Sequence, residues 1–330
     1  MESTGLAEDN RRYQNKINNI LKEKSTYIVG FSSYISGMAL RTQYTYLNYV
    51  IRFMSETRKE EKDLIFQDFV IYLAKLQYKE NGQETVSSYQ IAVYSALKLF
   101  SKYLNINKVI AEDYMANINK PKRKEKQRTI ERREKSYLTP EETKTYLYNV
   151  DHKLTGKTRK PSAIWSQRDI AVIKLFLSTG VRCAALSRID INNLNMHDGT
   201  LMVTDKGEKV IKFILIPQVV DELRKWLEFR RELVMAQTIP ALFLSKNGKR
   251  LSTNAISDIT KKYACNIEGK TISPHKLRAT YGTRLYNETG DIVLVQKNLH
   301  HASINTTLLY VRGIEEKAQR ESAEIMKNII

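Results

Sequence analysis

The chain has 330 residues, with 54 Lys and Arg against 36 Asp and Glu, a net charge of +18, and 42% apolar residues. An apolar share of this size can fill ordinary packed cores, and the length suits two domains of ~100–200 residues each. No run of 18 or more apolar residues occurs, which excludes a transmembrane helix. The opening Met-Glu-Ser-Thr-Gly carries no apolar stretch of the kind a secretory signal needs. The excess positive charge predicts a polyanionic partner, nucleic acid before an anionic membrane surface. Cys183 and Cys265 form no disulfide framework and stand in no metal-ligand spacing, as expected of a reduced, cytoplasmic protein.

Residues 1–24 are polar and charged, with Ile17, Ile20 and Leu21 as a thin apolar stripe. An extra helix and a loose N-terminal arm both remain open there. From Tyr27 the texture changes. Tyr44, Leu47, Val50, Ile51 and Met54 follow the i, i+3, i+4 spacing of an amphipathic helix. Leu64 to Leu76 repeats the pattern. Val86 to Leu104 repeats it again, with Ile91, Tyr94, Leu97, Leu99 and Phe100 as the expected core face and Ser87 or Ser88 as the cap. Asp113 to Ile118 reads as a shorter helical piece. Gly and Pro are scarce and no β alternation appears, so residues 25–118 are expected to form an all-α unit.

Lys120-Pro121-Lys122-Arg123-Lys124-Glu125-Lys126-Gln127-Arg128 and the residues up to Lys135 offer almost no apolar side chain. Such a stretch cannot bury a face, so residues 119–136 read as a basic linker. Taken alone it is a solvated tether. Between two basic units, Lys120, Lys122, Arg123, Lys124, Lys126 and Arg128 become candidate contacts along a nucleic-acid backbone.

The second unit opens at Tyr137-Leu138-Thr139-Pro140-Glu141-Glu142, where Thr139 and Glu142 form a capping box around Pro140 at the first helical position. Ile170 to Leu177 is apolar almost all round, as in a buried central helix. Leu201 to Val203 and Val210 to Ile216 flank Asp205-Lys206-Gly207-Glu208-Lys209 and predict a β-hairpin. A helix from Pro217 to Val234 is expected, with Val220, Leu223, Leu227 and Val234 inward. A third short strand is expected over Ala241–Leu244, and a helix over Asn254–Ala264. Ser273 and Pro274 then start another helix, which places His275 and Arg278 on one face at its first turn. A helix N-terminus carries partial positive charge, so the natural target of that imidazole and guanidinium is an anion.

Several motifs occur in a fixed order. They are Ser178-Thr179-Gly180-Val181-Arg182, the Asp205–Lys209 turn, His275-x-x-Arg278, Leu299-His300-His301-Ala302-Ser303-Ile304-Asn305-Thr306-Thr307, and Tyr310 nine residues after His301. This set resembles the boxes of the tyrosine recombinases, the phage and mobile-element integrases. Those proteins show an Arg box, a Gly-Lys-Gly-x-Lys hairpin, His-x-x-Arg, Leu-Gly-His and then Tyr. The resemblance covers roughly the last 160 residues. It implies a mainly α fold with a small antiparallel β-sheet in the C-terminal domain. The two domains would form a DNA clamp from a helical core-binding domain (25–118) and a catalytic domain (137–313). A last helix over 314–330 would either pack on its own domain or dock in a neighbouring protomer.

The resemblance also implies the chemistry. Tyr310 would be the nucleophile, Arg182 and Arg278 the clamp on the non-bridging phosphate oxygens, and Lys206 the general acid, with Lys209 its competitor. His275 would accept the tyrosine proton, and His301 would donate to the phosphate, with His300 its neighbouring alternative. Guanidinium suits the clamp because its planar donors match phosphate bidentately. A phosphotyrosine keeps the energy of the broken bond, so DNA is resealed without ATP. No cofactor and no metal are implied. The implied partners are duplex DNA with a specific site and further copies of the chain in a synaptic tetramer that exchanges strands through a Holliday junction. Two alternatives share the scaffold: relaxation of DNA as by a type IB topoisomerase, and a catalytically silent DNA-binding regulator. The sequence departs from the family pattern twice. Ala185 stands where an acidic residue usually follows the first Arg, and His300 stands where Gly usually precedes the last His.

Overall fold

The computed structural model describes residues 4–77, 88–121, 136–156, 162–205, 208–233, 238–308, 323 and 326–327. The chain divides into two compact units, Ala7–Glu125 and Lys126–Ile330, the second including Met1–Leu6. Among the described residues no helix is long and apolar enough to cross a membrane.

Among the described residues before 107 the α-helices are α1 (Thr4–Leu21), α2 (Thr26–Tyr34), α3 (Leu40–Thr57), α4 (Phe66–Gln77) and α5 (Ser88–Ile106). Of the two forms open for the N-terminal residues, the helix is the one observed, with Ile17 buried. Ser25 caps α2 by accepting from the Ile28 N–H, and its hydroxyl donates to Glu61. The faces turned inward are Leu47, Val50 and Phe53 of α3 and Val93, Leu97, Phe100 and Leu104 of α5, all fully buried. Ile51, Met54 and Leu99 lie at the margin of this core, and Ile91 is half-buried. Asp113 to Ile118 forms turns rather than a helix. The Asp113 carboxylate accepts from the Ser101 hydroxyl and from the Met115 N–H, a side-chain alternative to helical bonding.

The second unit contains α6 (Pro140–Asp151), α7 (Ala163–Thr179), α8 (Cys183–Arg188), α9 (Pro217–Arg231), α10 (Thr253–Lys262), α11 (Pro274–Thr289), α12 (Ile292–Asn298) and α13 (Ile304–Leu308). The capping box of α6 is present as expected. Central α7 is buried nearly all round and packs against α9 and α11. A three-stranded antiparallel sheet runs β1 (Leu194–Asn195), β2 (Thr200–Thr204) and β3 (Val210–Ile214). The β2–β3 register pairs Thr204 with Val210 at the hairpin neck.

Ala241–Leu244 is not a strand; only isolated bridges occur there, at Ala241 and Leu244. The segment is buried, but side chains take its carbonyls. Trp226 Nε1 donates to Leu242 O, Arg230 to Ala241 O, and Arg168 Nη1 to Leu244 O. Its backbone bonds to neighbouring segments, Leu242 N–H to Ile189 O and Leu251 N–H to Phe243 O, go to two different stretches and make no continuous ladder.

Arg168 also donates through Nε and Nη2 to Asp169, which is fully buried. Asp169 further accepts from Lys262 Nζ at 2.8 Å and from the Tyr263 hydroxyl at 3.1 Å, tying α7 to α10. Burial first, then the Asp169 carboxylate, raises the Tyr263 phenol far above its usual pKa. Removing one partner of such a group leaves a buried charge uncompensated. Asp169→Ala should therefore destabilise the second unit by roughly 3–5 kcal/mol, as measured by urea unfolding.

Candidate active site

The first arginine box is shaped by Gly180. This residue ends α7 in the left-handed region at φ +61°, with its N–H bonded to Phe176 O. A Cβ there would lie 2.6 Å from Tyr281 Cδ1 and 2.9 Å from Leu299 Cδ2. Both the conformation and the close approach therefore require glycine. The chain then turns through buried Val181, and Arg182 becomes the N-cap residue of α8.

The second box starts α11. Ser273 accepts from the Lys276 N–H and Pro274 occupies the first turn, as the sequence predicts. His275 is exposed, whereas Arg278 is only 4% exposed. The Arg278 guanidinium donates to Gly180 O and to Leu299 O, so it joins the first box to the end of α12.

That helix end is where the two boxes meet. The His300 N–H bonds to Lys297 O and the His301 N–H to Gln296 O, both at 3.1 Å. This is the Schellman pattern, with His300 in the left-handed position at φ +50°. A non-glycine residue there is strained by about 1–2 kcal/mol. The edge-on contact of the His300 ring with Phe213, at 5.6 Å between centroids, offsets part of that. Arg182 Nη2 donates to His300 O at 3.2 Å. Two successive carbonyls, Leu299 and His300, thus accept from the two arginines.

Electrostatics report the same convergence. Burial, then the charges of Arg278, Arg182, His275 and His300, lower the His301 pKa to about 4. The pKa of His300 is also lowered, by burial first and then by Lys209, Arg278 and Arg182. His301 Nδ1 lies 3.0 Å from the hydroxyl of Thr307, itself fully buried. Positive charge gathered around a neutral imidazole makes an anion-binding site, and planar guanidiniums suit a phosphate.

The structure thus brings together Arg182, Arg278, His301 and His275, with His300 and Lys209 beside them. Lys206 and Tyr310 lie outside the described residues, as do Lys122, Arg123, Lys124, Lys126 and Arg128 and most of 314–330. Lys120 is described and exposed. Three residues of the site were not singled out from the sequence. Gly180 and Thr307 lie within its boxes. Asp205, whose carboxylate pairs with Arg182, opens the hairpin box, and only its alternation with inward Leu201 and Val203 hinted that it faces inward.

The lowered pKa has a measurable sign. Because the folded state takes up the His301 proton at lower pH than the unfolded chain, this contribution to stability is complete above pH 6.5. It is lost as the pH falls from 6.5 towards 4. In an NMR titration of the DNA-free protein, the His301 ring should protonate near pH 4. Protonation near pH 6.5 would show that the positive charges do not act on this ring.

Residues 136–316, more than half of the chain, match the Phage integrase family. The chain is 33% identical to "Tyrosine recombinase XerC" of Alcanivorax borkumensis over 162 residues, covering 49% of this chain and 52% of that protein. It is 27% identical to "Tyrosine recombinase XerD" of Lacticaseibacillus casei over 276 residues, covering 83% and 88%. The first alignment therefore spans about half the length of its relative. Among solved structures, the XerH site-specific recombinase bound to its difH substrate resembles the fold with a TM-score of 0.67 at 21% identity, covering 95% of this chain and 88% of that one. The Tn1549 transposon integrase in complex with transposon right end DNA gives 0.63 at 17% identity, covering 92% and 100%. With its ordered boxes, mainly α fold, small antiparallel sheet and paired arginines, the chain belongs to the phage integrase family of tyrosine recombinases.

Proposed function

We propose that the chain is a site-specific DNA recombinase. It breaks a strand of duplex DNA and rejoins it to another through a 3′-phosphotyrosine intermediate, with neither metal nor ATP. The observation that carries this reading is the pair of arginines, Arg182 and Arg278, held by successive carbonyls of one helix end and acting on one imidazole.

In this reading the Arg182 and Arg278 guanidiniums neutralise the non-bridging oxygens of the scissile phosphate. The Tyr310 phenol attacks phosphorus in line as the 5′-oxygen departs. His275 accepts the phenol proton and Lys206 supplies one to the leaving 5′-oxygen. His301 stays neutral. A Thr307 hydroxyl donating to Nδ1 leaves the ring proton on Nε2, free to donate to a phosphate oxygen. A second strand's 5′-hydroxyl then reverses the step on the phosphotyrosine. Donors placed before charge develops usually supply the largest share of rate enhancement.

The division of labour follows the expected domains: residues 25–118 grip core DNA, 137–313 perform the chemistry, and the 119–136 linker straps the backbone through Lys120, Lys122, Arg123, Lys124, Lys126 and Arg128. The full reaction needs a tetramer on two duplexes, with residues 314–330 either packed on their own domain or docked in a neighbouring protomer.

Nicked duplexes tiled across candidate DNA ends test the reading. The wild-type chain should be trapped covalently on one of them, and Tyr310→Phe should give no adduct. Arg278→Ala should slow trapping by about 10²–10³-fold. Adducts formed by Tyr310→Phe, or none with wild type on any end, would overturn it.

A further inference from the structure

Arg182 is held from an unexpected direction. One turn along α8, Ala185 is 3% exposed and packed into the hydrophobic core, so this position supplies no carboxylate. The acid comes from the sheet. Leu201 and Val203 of β2 point inward, and Asp205 continues that alternation one step past the strand, against α8. Its backbone N–H donates to Lys209 O at 2.8 Å, which closes the hairpin neck just beyond the Thr204–Val210 pair. The carboxylate is buried and pairs with Arg182 Nη1, while Arg182 Nη2 reaches His300 O. The guanidinium is therefore fixed at two of its nitrogens by groups from two different elements. Even so, 31% of the Arg182 side chain remains accessible.

The geometry points to Asp205 as the positioning residue for Arg182, replacing an acid on α8 and coupling the hairpin that carries Lys206 to the phosphate clamp. This rests on the recombinase reading of Arg182. A buried carboxylate requires a paired cation, and the pairing fixes the plane of the guanidinium before any phosphate arrives. Because Asp205 precedes Lys206 directly in sequence, a shift of the hairpin shifts the clamp with it.

The test uses the full chain and the nicked duplex on which wild type is trapped, and reads the rate of adduct formation at saturating protein, DNA affinity and thermal melting. Asp205→Asn should slow adduct formation by about 10–100-fold, the range seen when the partner that orients a metal-binding side chain is lost. Affinity should change less than about twofold, since most binding comes from other phosphate contacts. In an Arg182→Lys background, Asp205→Asn should cause less than about a twofold further loss, because the paired geometry is already gone. Three outcomes would overturn the inference: a wild-type rate for Asp205→Asn; a faster rate with tighter binding, which would make the carboxylate a stand-in for phosphate; or the same fold loss in both backgrounds, which would mean general damage to the fold. Absence of any wild-type adduct would instead remove the recombinase reading itself.

Discussion

A single left-handed residue at the end of α12 organises the site. Where His300 reverses the chain, the carbonyls of Leu299 and His300 become available in succession, and Arg278 and Arg182 each take one. Arg278 also binds Gly180 O, two residues before Arg182, so the two boxes are tied on both sides. Each of these bonds is to backbone, which fixes the guanidiniums with respect to the fold, and the Asp205 carboxylate adds a side-chain anchor to Arg182. The near-complete burial of Arg278 and the glycine demanded at 180 follow from the same packing.

The arrangement concentrates cationic charge where water is partly excluded. Each guanidinium disfavours protonation of the histidines beside it, and burial adds to this, so His301 remains a neutral donor or acceptor rather than a further cation. In the proposed reaction, a phosphate would reverse the local balance by bringing negative charge against both arginines. Fixed donors of this kind need little reorganisation as charge builds on the non-bridging oxygens, the condition under which electrostatic stabilisation is most effective. At longer range, the +18 net charge of the chain draws in the polyanion.

Much of this was legible in the residues. Local rules dictated the capping box of α6, the buried α7, the β2–β3 hairpin and the start of α11 at Ser273, and local rules are visible in sequence. The strain at His300 was legible too, because glycine is the ordinary occupant of that turn. Tertiary decisions were not. Ala241–Leu244 has a strand's composition, but its bridges go to two different stretches, at Asp190 and at Arg250, instead of to one partner strand. Asp113–Ile118 has helical spacing, yet the Asp113 carboxylate diverts its backbone. Asp205 looked like one more polar turn residue. Only the packing of β2 on α8 turned its alternation with Leu201 and Val203 into a contact with Arg182.

The central claim is that Arg182 and Arg278 act together on the charge of one phosphate. The most direct measurement compares adduct formation on the mapped duplex with a second duplex carrying a neutral methylphosphonate at the scissile position. If both arginines serve that charge, the losses caused by Arg182→Ala and by Arg278→Ala should each shrink by about tenfold or more on the neutral duplex. Equal losses on the two duplexes would contradict the account, because the arginines would then be supporting the fold rather than the phosphate.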